Sequence, residues 1–212
     1  MNPKFDPKNF FDLENFPFTQ IFKGKRNFWE VVENLGEFLN NLFKEGKLKG
    51  NYSEKVFVDP TAFVDPTARI VGPAYIGPGV KIDFNAYIQE NVILVKNNVI
   101  GSGSQIKNSI LMDTCKTSHF NYVGESILGN RVRLGAGVII SNKRVDRGTV
   151  KITLENGEKV DTNLIRLGAL IGDDSKVGVN SAINPGTIIG KKCLFYPLKV
   201  IGGFYPDNSL IK

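Results

Sequence analysis

Histidine and cysteine are scarce in this chain of 212 residues, and their scarcity excludes whole classes of site. There is one histidine, His119, and there are two cysteines, Cys115 and Cys193. A structural zinc site needs four ligands, and a zinc enzyme of the carbonic anhydrase kind needs three histidines, so neither can be built here. Two cysteines are also too few for a disulfide framework. We predict no metal site, and two reduced thiols in a cytoplasmic protein.

Long apolar runs and concentrated charge are absent too. No stretch approaches the roughly 20 apolar residues of a membrane span, and the proline-containing, partly acidic N-terminus lacks the apolar core of a signal peptide. The net charge is +6, but there is no run of five or six basic residues. We therefore predict binding to neither membrane nor nucleic acid. The mild basicity suits a small phosphorylated ligand.

Residues 1–53 form a first region made of an aromatic arm and a helix. Six phenylalanines with proline breaks predict an irregular arm that packs by its rings and shields the open end of the core. They are Phe5, Phe10, Phe11, Phe16, Phe18 and Phe22. Apolar residues at three- and four-residue steps then predict one helix over 28–45. Asn27 with Glu30 resembles a capping box, and Gly46 is a suitable stop.

Residues 54–212 repeat every six residues. The repeats open with an aliphatic residue at Val58, Val64, Ile70, Ile76, Ile82 and Ile88, and later at Leu134, Ile171, Val177, Ile183 and Ile189. Neither a helix nor simple alternation resets every six residues. The pattern resembles the hexapeptide-repeat superfamily, which implies an all-β fold: a left-handed parallel β-helix with three repeats per coil. Alternation about Asn156-Gly157 predicts a projecting β-hairpin in an insertion over 143–167.

The central segment over 106–142, "IKNSILMDTCKTSHFNYVGESILGNRVRLGAGVIISN", is followed by "VDTNLIRLGALIGDD" and "NPGTIIG". These motifs resemble the acetyltransferase domain of the bifunctional glucosamine-1-phosphate acetyltransferase/uridyltransferase and its archaeal and stand-alone relatives. The resemblance covers roughly 56–206. It implies acetyl transfer from acetyl-CoA to the amine of an amino sugar phosphate, by a homotrimer whose active sites lie between neighbouring subunits.

The resemblance also implies roles for individual residues. His119 matches the general base, for which an imidazole suits because its unperturbed pKa, about 6.5, lies near neutral pH. We expect the repeat to break over 116–126 in order to place it. Lys107 matches a lysine that holds the sugar phosphate, and Tyr122 a tyrosine that lies against the sugar. Asn142 matches an asparagine at the acceptor and thioester end, and Ala136 lies where the backbone approaches coenzyme A.

Three positions depart from the family pattern. Gln89 replaces an arginine that binds the phosphate, Gln105 replaces a glutamate, and Arg133 replaces an asparagine that touches the sugar. A neutral glutamine cannot supply the bidentate contact of an arginine. Either Arg133 supplies the missing charge and the substrate is retained, or the protein accepts a different amine or binds sugar without turning it over.

Two other functions stay open at this stage. One is fatty-acyl transfer to a nucleotide sugar, and the other is a structural or regulatory trimer with a relic pocket. Nucleotidyl transfer is not expected from this chain, because the region before Val56 is far shorter than a nucleotide-binding α/β domain.

Overall fold

The computed structural model describes residues 6–25, 27–154 and 156–212. Its helices are α1 (Pro7–Phe10), α2 (Phe28–Glu33) and α3 (Leu35–Lys44), with a 3-10 helix at Thr19–Phe22. The strands are β1 (Val56–Val58), β2 (Phe63–Val64), β3 (Arg69–Ile70), β4 (Ala74–Ile76), β5 (Lys81–Ile82), β6 (Tyr87–Ile88), β7 (Val92–Leu94), β8 (Val99–Ile100), β9 (Gln105–Lys107), β10 (Ser109–Leu111), β11 (Lys116–Thr117), β12 (Tyr122–Gly124), β13 (Ile127–Leu128), β14 (Arg133–Leu134), β15 (Ile139–Ile140), β16 (Lys151–Thr153), β17 (Lys159–Asp161), β18 (Ala169–Ile171), β19 (Lys176–Val177), β20 (Ala182–Ile183), β21 (Thr187–Ile189), β22 (Leu194–Phe195), β23 (Val200–Ile201), β24 (Phe204–Tyr205) and β25 (Leu210–Ile211).

Three parallel sheets form the faces of a prism, and successive strands step from one face to the next. Face A contains β1, β4, β7, β10, β13, β18, β21 and β24. Face B contains β2, β5, β8, β11, β14, β19, β22 and β25. Face C contains β3, β6, β9, β12, β15, β20 and β23. The predicted all-β class and left-handed parallel β-helix are confirmed.

The repeat produces this prism because its opening aliphatic residues all point inward. Ile82 pairs with Ile100 and Thr117 with Leu134 in the next coil, so each coil covers the apolar residues of the one before it. Residues such as Ile76, Ile88 and Leu128 have no exposed surface. Fully burying one such side chain contributes about 1.5–3 kcal/mol, so the stacked interior supplies much of the driving force for folding.

We expected the repeat to break at the histidine, but it does not. Thr117 occupies the inward opening position, fully buried, and the next opening residue is Val123, six residues later. The chain is instead one residue short at two corners between faces C and A. There Asn108 (φ 43°) and Glu125 (φ 45°) adopt the left-handed conformation, as Asn91 (φ 62°) does at the full-length corner one coil earlier. The histidine therefore lies on an ordinary coil.

The predicted single helix is two helices that meet at Asn34. The backbone of Asn34 (φ −95°, ψ 4°) leaves the helical region, and its Nδ2 donates to the carbonyl of Glu30 at 2.6 Å. Such a local bond competes with the helical ladder. The expected capping box is also wrong. Asn27 Nδ2 donates to the Glu30 carboxylate (2.9 Å), and the Asn27 side chain makes no capping hydrogen bond to the helix backbone. The last helix ends at Lys44, and Gly46 adopts φ 70° just beyond it.

From Phe10 onward, the aromatic arm covers face A rather than the open end of the prism, whereas Phe5 lies outside the described residues. The Phe18 ring meets Tyr75 of β4 edge-on, with centroids 4.9 Å apart. At the other end of the arm, the carboxylate of Asp173 accepts the backbone N–H of Asp12 at 2.7 Å. The arm and helices bury a row of apolar residues on the outside of face A, namely Ile93, Ile110, Ile127, Leu170 and Ile188. The arm lies along face A because this row of residues would otherwise be a long exposed apolar strip.

The hairpin forms as predicted but packs on face A instead of projecting. Strands β16 and β17 pair antiparallel, with Ile152 opposite Val160, and Gly157 has the φ of 82° that the turn requires. Ile152 is fully buried in the same cluster as Ile188. Faces B and C are consequently the two faces that the described residues leave largely uncovered.

Candidate active site

His119 lies at the corner between β11 on face B and β12 on face C. Its Nδ1 is 3.1 Å from the hydroxyl of Ser102, which is buried one coil earlier. The ring is otherwise exposed, and no described residue forms a hydrogen bond with Nε2. Phe120, 69% exposed, lies beside the imidazole with ring centroids 6.5 Å apart. The histidine is thus anchored through one nitrogen and open at the other.

A polar cluster on face C joins Tyr122, Glu125 and Asn142. Asn142 Nδ2 donates to the hydroxyl of Tyr122 (2.9 Å) and makes a short contact with the carboxylate of Glu125. Gly124 makes room for this cluster, since a Cβ there would lie 2.7 Å from the Tyr122 hydroxyl. Asn142 begins the insertion, and its carbonyl accepts the N–H of Leu167 where the insertion ends. The cluster therefore sits at the base of the inserted hairpin.

Burial governs the electrostatics of this cluster. Desolvation raises the pKa of the Glu125 carboxyl, while the hydrogen bond from Asn142 and the charges of Lys107 and Arg166 oppose the rise. Desolvation, together with the nearby Glu125 charge, also raises the pKa of Tyr122. The tyrosine consequently stays a neutral hydroxyl that can donate a proton in a hydrogen bond.

Lys107, Gln89 and Gln105 lie on the same outer face as Tyr122. Gln105 is in register with Tyr122, and Lys107 with Gly124. Lys107 Nζ pairs with the Glu90 carboxylate at 3.2 Å, and the pKa of Glu90 is lowered by its own backbone N–H and by this lysine. The structure thus brings together the predicted phosphate lysine and both glutamines, with an acidic partner on the lysine.

Arg133 and Ala136 lie elsewhere. Arg133 is exposed on face B, in register between Lys116 and Lys176, so within one chain it does not join Gln89 on face C. Ala136 lies at the same corner as His119 but one coil further on, where the N–H of Gly137 donates to the His119 carbonyl at 2.9 Å. The corner beyond the histidine is formed by the small residues Gly135, Ala136 and Gly137, which are half-buried.

Four residues at the site were missed by sequence reasoning: Ser102, Glu90, Glu125 and Arg166. Ser102 precedes His119 by 17 residues, which is one coil at this height of the prism. Glu125 follows Tyr122 closely, yet the residues that contact it, Asn142 and Gly168, are distant in sequence. Ser102 could have been found only from the coil register, which places it directly before His119 in the preceding coil.

Among residues 6–25, 27–154 and 156–212, no group of three or more histidine, cysteine or acidic side chains could hold a metal ion. Both cysteines are free and buried, and burial raises the pKa of the Cys115 thiol strongly. In that same part of the chain, no helix is long and apolar enough to cross a membrane.

Comparison with known proteins agrees with this geometry. The model of the GMPPB C-terminal domain matches residues 70–157. A bifunctional sugar-1-phosphate nucleotidylyltransferase/acetyltransferase from Sulfurisphaera tokodaii is 36% identical over 82% of this chain and 44% of its own length. The bifunctional protein GlmU of Methanococcus maripaludis (strain C5) is 34% identical over 78% of this chain and 41% of its own. The chain is a hexapeptide-repeat protein related to these bifunctional enzymes. It spans less than half of the length of either.

Solved structures with distant similarity include acetyltransferases. A putative acetyltransferase from Bacillus cereus shares 16% identity at a TM-score of 0.42, covering 75% of this chain and 74% of that one. A histidine-to-alanine mutant of the GDP-perosamine N-acetyl transferase from Caulobacter crescentus, in complex with CoA and GDP-perosamine, shares 19% identity at a TM-score of 0.38, covering 82% of this chain and 60% of that one.

Proposed function

We propose that this hexapeptide-repeat protein transfers an acetyl group from acetyl-CoA to the amine of an amino sugar phosphate. The observation that carries the proposal is His119, held by Ser102 at the exposed corner where the chain enters face C, the face that carries Tyr122. The names of the related proteins, which include sugar-1-phosphate acetyltransferase, support the same reaction class. A cytoplasmic location remains a prediction that accompanies this substrate.

The chemistry needs a neutral amine, an activated thioester and a base. The amine nitrogen attacks the thioester carbonyl, the new C–N bond forms, and the C–S bond breaks to release coenzyme A. The amine proton passes to His119. When Nδ1–H donates to Ser102, the lone pair of Nε2 is the one available to take it. A positioned base of this kind contributes about 10²- to 10⁴-fold in rate.

Acetyl-CoA is assigned to the corner beyond His119. Ala136 and the neighbouring Gly135 and Gly137 are small and half-buried, so an extended pantetheine arm could run along them without displacing a side chain. Lys107, Tyr122 and Asn142 are assigned to the sugar phosphate, with Gln89 and Gln105 at the edge of the same patch. Lys107 would exchange its Glu90 partner for the phosphate, a stronger anion.

A homotrimer explains the position of Arg133. In one chain this arginine lies on face B, whereas Gln89 and Lys107 lie on face C. Packing face B of one copy against face C of the next would bring Arg133 to the Tyr122 end of the polar patch, more than one coil beyond Gln105. Heterologous contacts of this kind close into a ring when each copy is rotated by a third of a turn. The site would then draw residues from two chains.

The test compares acceptors. Purified protein is mixed with acetyl-CoA, and thiol release is followed with glucosamine-1-phosphate, with glucosamine, and with N-acetylglucosamine-1-phosphate, which has no free amine. We expect release with the first, a KM at least about tenfold higher with the second because the phosphate contact is lost, and none with the third. Release that is indifferent to the amine would overturn the proposal. Preference for a long-chain acyl-CoA would favour fatty-acyl transfer instead.

A further inference from the structure

We infer that Glu125 is a positioning residue that sets the orientation of the Asn142 amide towards the acceptor amine. The inference rests on the proposed function. Its evidence is the buried contact between the two side chains, which are 5% and 7% exposed. Glu125 need not touch the reacting atoms for this role, because it acts through Asn142.

The contact determines which way the amide faces. An ionised carboxylate can only accept hydrogen bonds, so the NH2 end of Asn142 must face Glu125. The second N–H of that group donates to the Tyr122 hydroxyl at 2.9 Å. Both protons of Nδ2 are then in use. The carbonyl end, Oδ1, faces the opposite way, and no described residue donates to it.

The cluster therefore offers a ligand one acceptor and one donor. Oδ1 of Asn142 can accept an N–H of the attacking amine. The Tyr122 hydroxyl, already accepting from Asn142, keeps its own proton free to donate to a sugar oxygen. An amine that donates to a fixed oxygen has its lone pair directed elsewhere. Such orientation of a nucleophile is the kind of effect that lowers a reaction barrier without adding a reactive group.

A purely structural role would not call for a carboxylate. The backbone already holds Glu125 in place. Its N–H donates to the Lys107 carbonyl (3.0 Å), and its carbonyl accepts from the N–H of Gly168 (2.9 Å). A glutamine could accept from Asn142 equally well and would avoid the cost of burying a charge. What a glutamine cannot do is forbid the flipped amide, because its own NH2 group could donate to Oδ1.

The first test is the variant Glu125→Gln, assayed by release of coenzyme A with glucosamine-1-phosphate. We expect kcat to fall about 10- to 100-fold, since part of the population now holds the amide in the wrong orientation. KM for acetyl-CoA should change by less than about twofold, since the corner at Ala136, to which the pantetheine arm is assigned, is unaltered. Glu158→Gln, an exposed glutamate in the inserted hairpin, is the matched control and should retain wild-type kinetics.

A second pair of variants keeps the test independent of any loss of folding. Asn142→Asp alone places two carboxylates against each other and should be nearly inactive. In the double variant Glu125→Gln, Asn142→Asp, the glutamine NH2 can donate to the new aspartate, which leaves one aspartate oxygen free as an acceptor. We expect its kcat to exceed that of Asn142→Asp by at least about tenfold.

The outcomes separate the two proposals. A wild-type protein that releases no coenzyme A with any amino sugar would overturn the proposed function, and the role of Glu125 with it. Wild-type turnover combined with an unchanged kcat in Glu125→Gln would overturn the role of Glu125 alone. So would a double variant no faster than Asn142→Asp. If the loss of kcat in Glu125→Gln only matches the loss of folded protein, measured by circular dichroism, then Glu125 has a structural role and does not position Asn142.

Discussion

At the scale of single residues, Ser102 holds the imidazole of His119 through Nδ1. Ser102 is buried and His119 is exposed, so the serine fixes the ring from beneath the surface. We predict that Ser102→Ala lowers kcat about tenfold, because the ring is no longer held in the tautomer with a free Nε2. Thiol release at saturating substrates measures this. An unchanged kcat would show that the contact does not orient the base.

The pKa of Glu125 makes a second prediction at this scale. Its pKa is raised in the folded protein above the ordinary 4.5, so the folded state holds the proton more tightly than the unfolded state. The contribution of this group to stability is therefore greatest below pH 4.5 and is lost as the pH rises through the folded pKa. Glu125→Gln lacks this dependence.

Urea unfolding of both proteins from about pH 4.5 to about pH 8 tests the sign. The free energy of unfolding of the wild type, minus that of Glu125→Gln, should decrease as the pH rises. A difference that grows with pH would mean that the carboxylate is net stabilised by its partners and that its pKa is lowered.

At the scale of elements, a buried carboxylate takes part in the hydrogen bonds that hold the arm on face A. Asn130 Nδ2 also donates to the Asp12 carbonyl (2.8 Å), and the Asp173 N–H donates to the Phe10 carbonyl (3.0 Å). Asp173 accepts the backbone N–H of Asp12 and that of Asn130, each at 2.7 Å. In Asp173→Asn an NH2 group must face one of these donors. We predict a loss of about 1–3 kcal/mol in the free energy of unfolding. The lone tryptophan, Trp29, is buried with the arm, so its fluorescence should also report any detachment.

The neighbouring Asp174 provides the control. It forms a bidentate pair with Arg131 (2.6 and 2.9 Å) at the surface, where the two side chains are 35% and 53% exposed. Surface pairs contribute about 0–1 kcal/mol, so Asp174→Asn should change stability little. Equal losses in the two variants would contradict the view that Asp173 is the specific anchor of the arm.

The elements that could be predicted from the sequence are those with a repeating or local sequence pattern. The inward residues recur every six positions, so the prism and the hairpin turn at Asn156-Gly157 were predictable. The arm was recognisable by its phenylalanines, but nothing local says which surface aromatic rings will cover. The signal was in the strands of face A, where Ile93 and Ile110 are apolar on the outward side as well. The break at Asn34 arises from one side-chain bond that competes with the helix.

The candidate site was predictable to a similar extent. Motif resemblance identified His119, Tyr122 and Asn142, which lie on one coil and the next. It could not identify Glu125 as buried, because Asn142 and Gly168, which contact it, are distant in sequence. The place of Arg133 is a question of how chains pack, and the sequence of one chain carries no direct record of it.

At the scale of the whole molecule, we predict a trimer of three times the 23.5 kDa chain mass, measured by light scattering. Ile139, 41% exposed on face C and in register with Tyr122, would lie in the contact. Ile139→Glu should therefore dissociate the trimer and abolish activity, while Tyr52→Glu, an exposed aromatic residue outside the three faces, should do neither. A wild-type monomer with full activity would show that Arg133 has no part in the site.

If an ordinary coil of the prism presents His119 as the base, removing the imidazole should abolish acetyl transfer. Release of coenzyme A from acetyl-CoA with glucosamine-1-phosphate is measured for the wild type, for His119→Ala, and for Phe84→Ala, an exposed residue at the equivalent corner position two coils earlier. The account predicts that His119→Ala loses at least about 100-fold in kcat with its fold intact, and that Phe84→Ala keeps wild-type activity. A fully active His119→Ala protein would contradict the account.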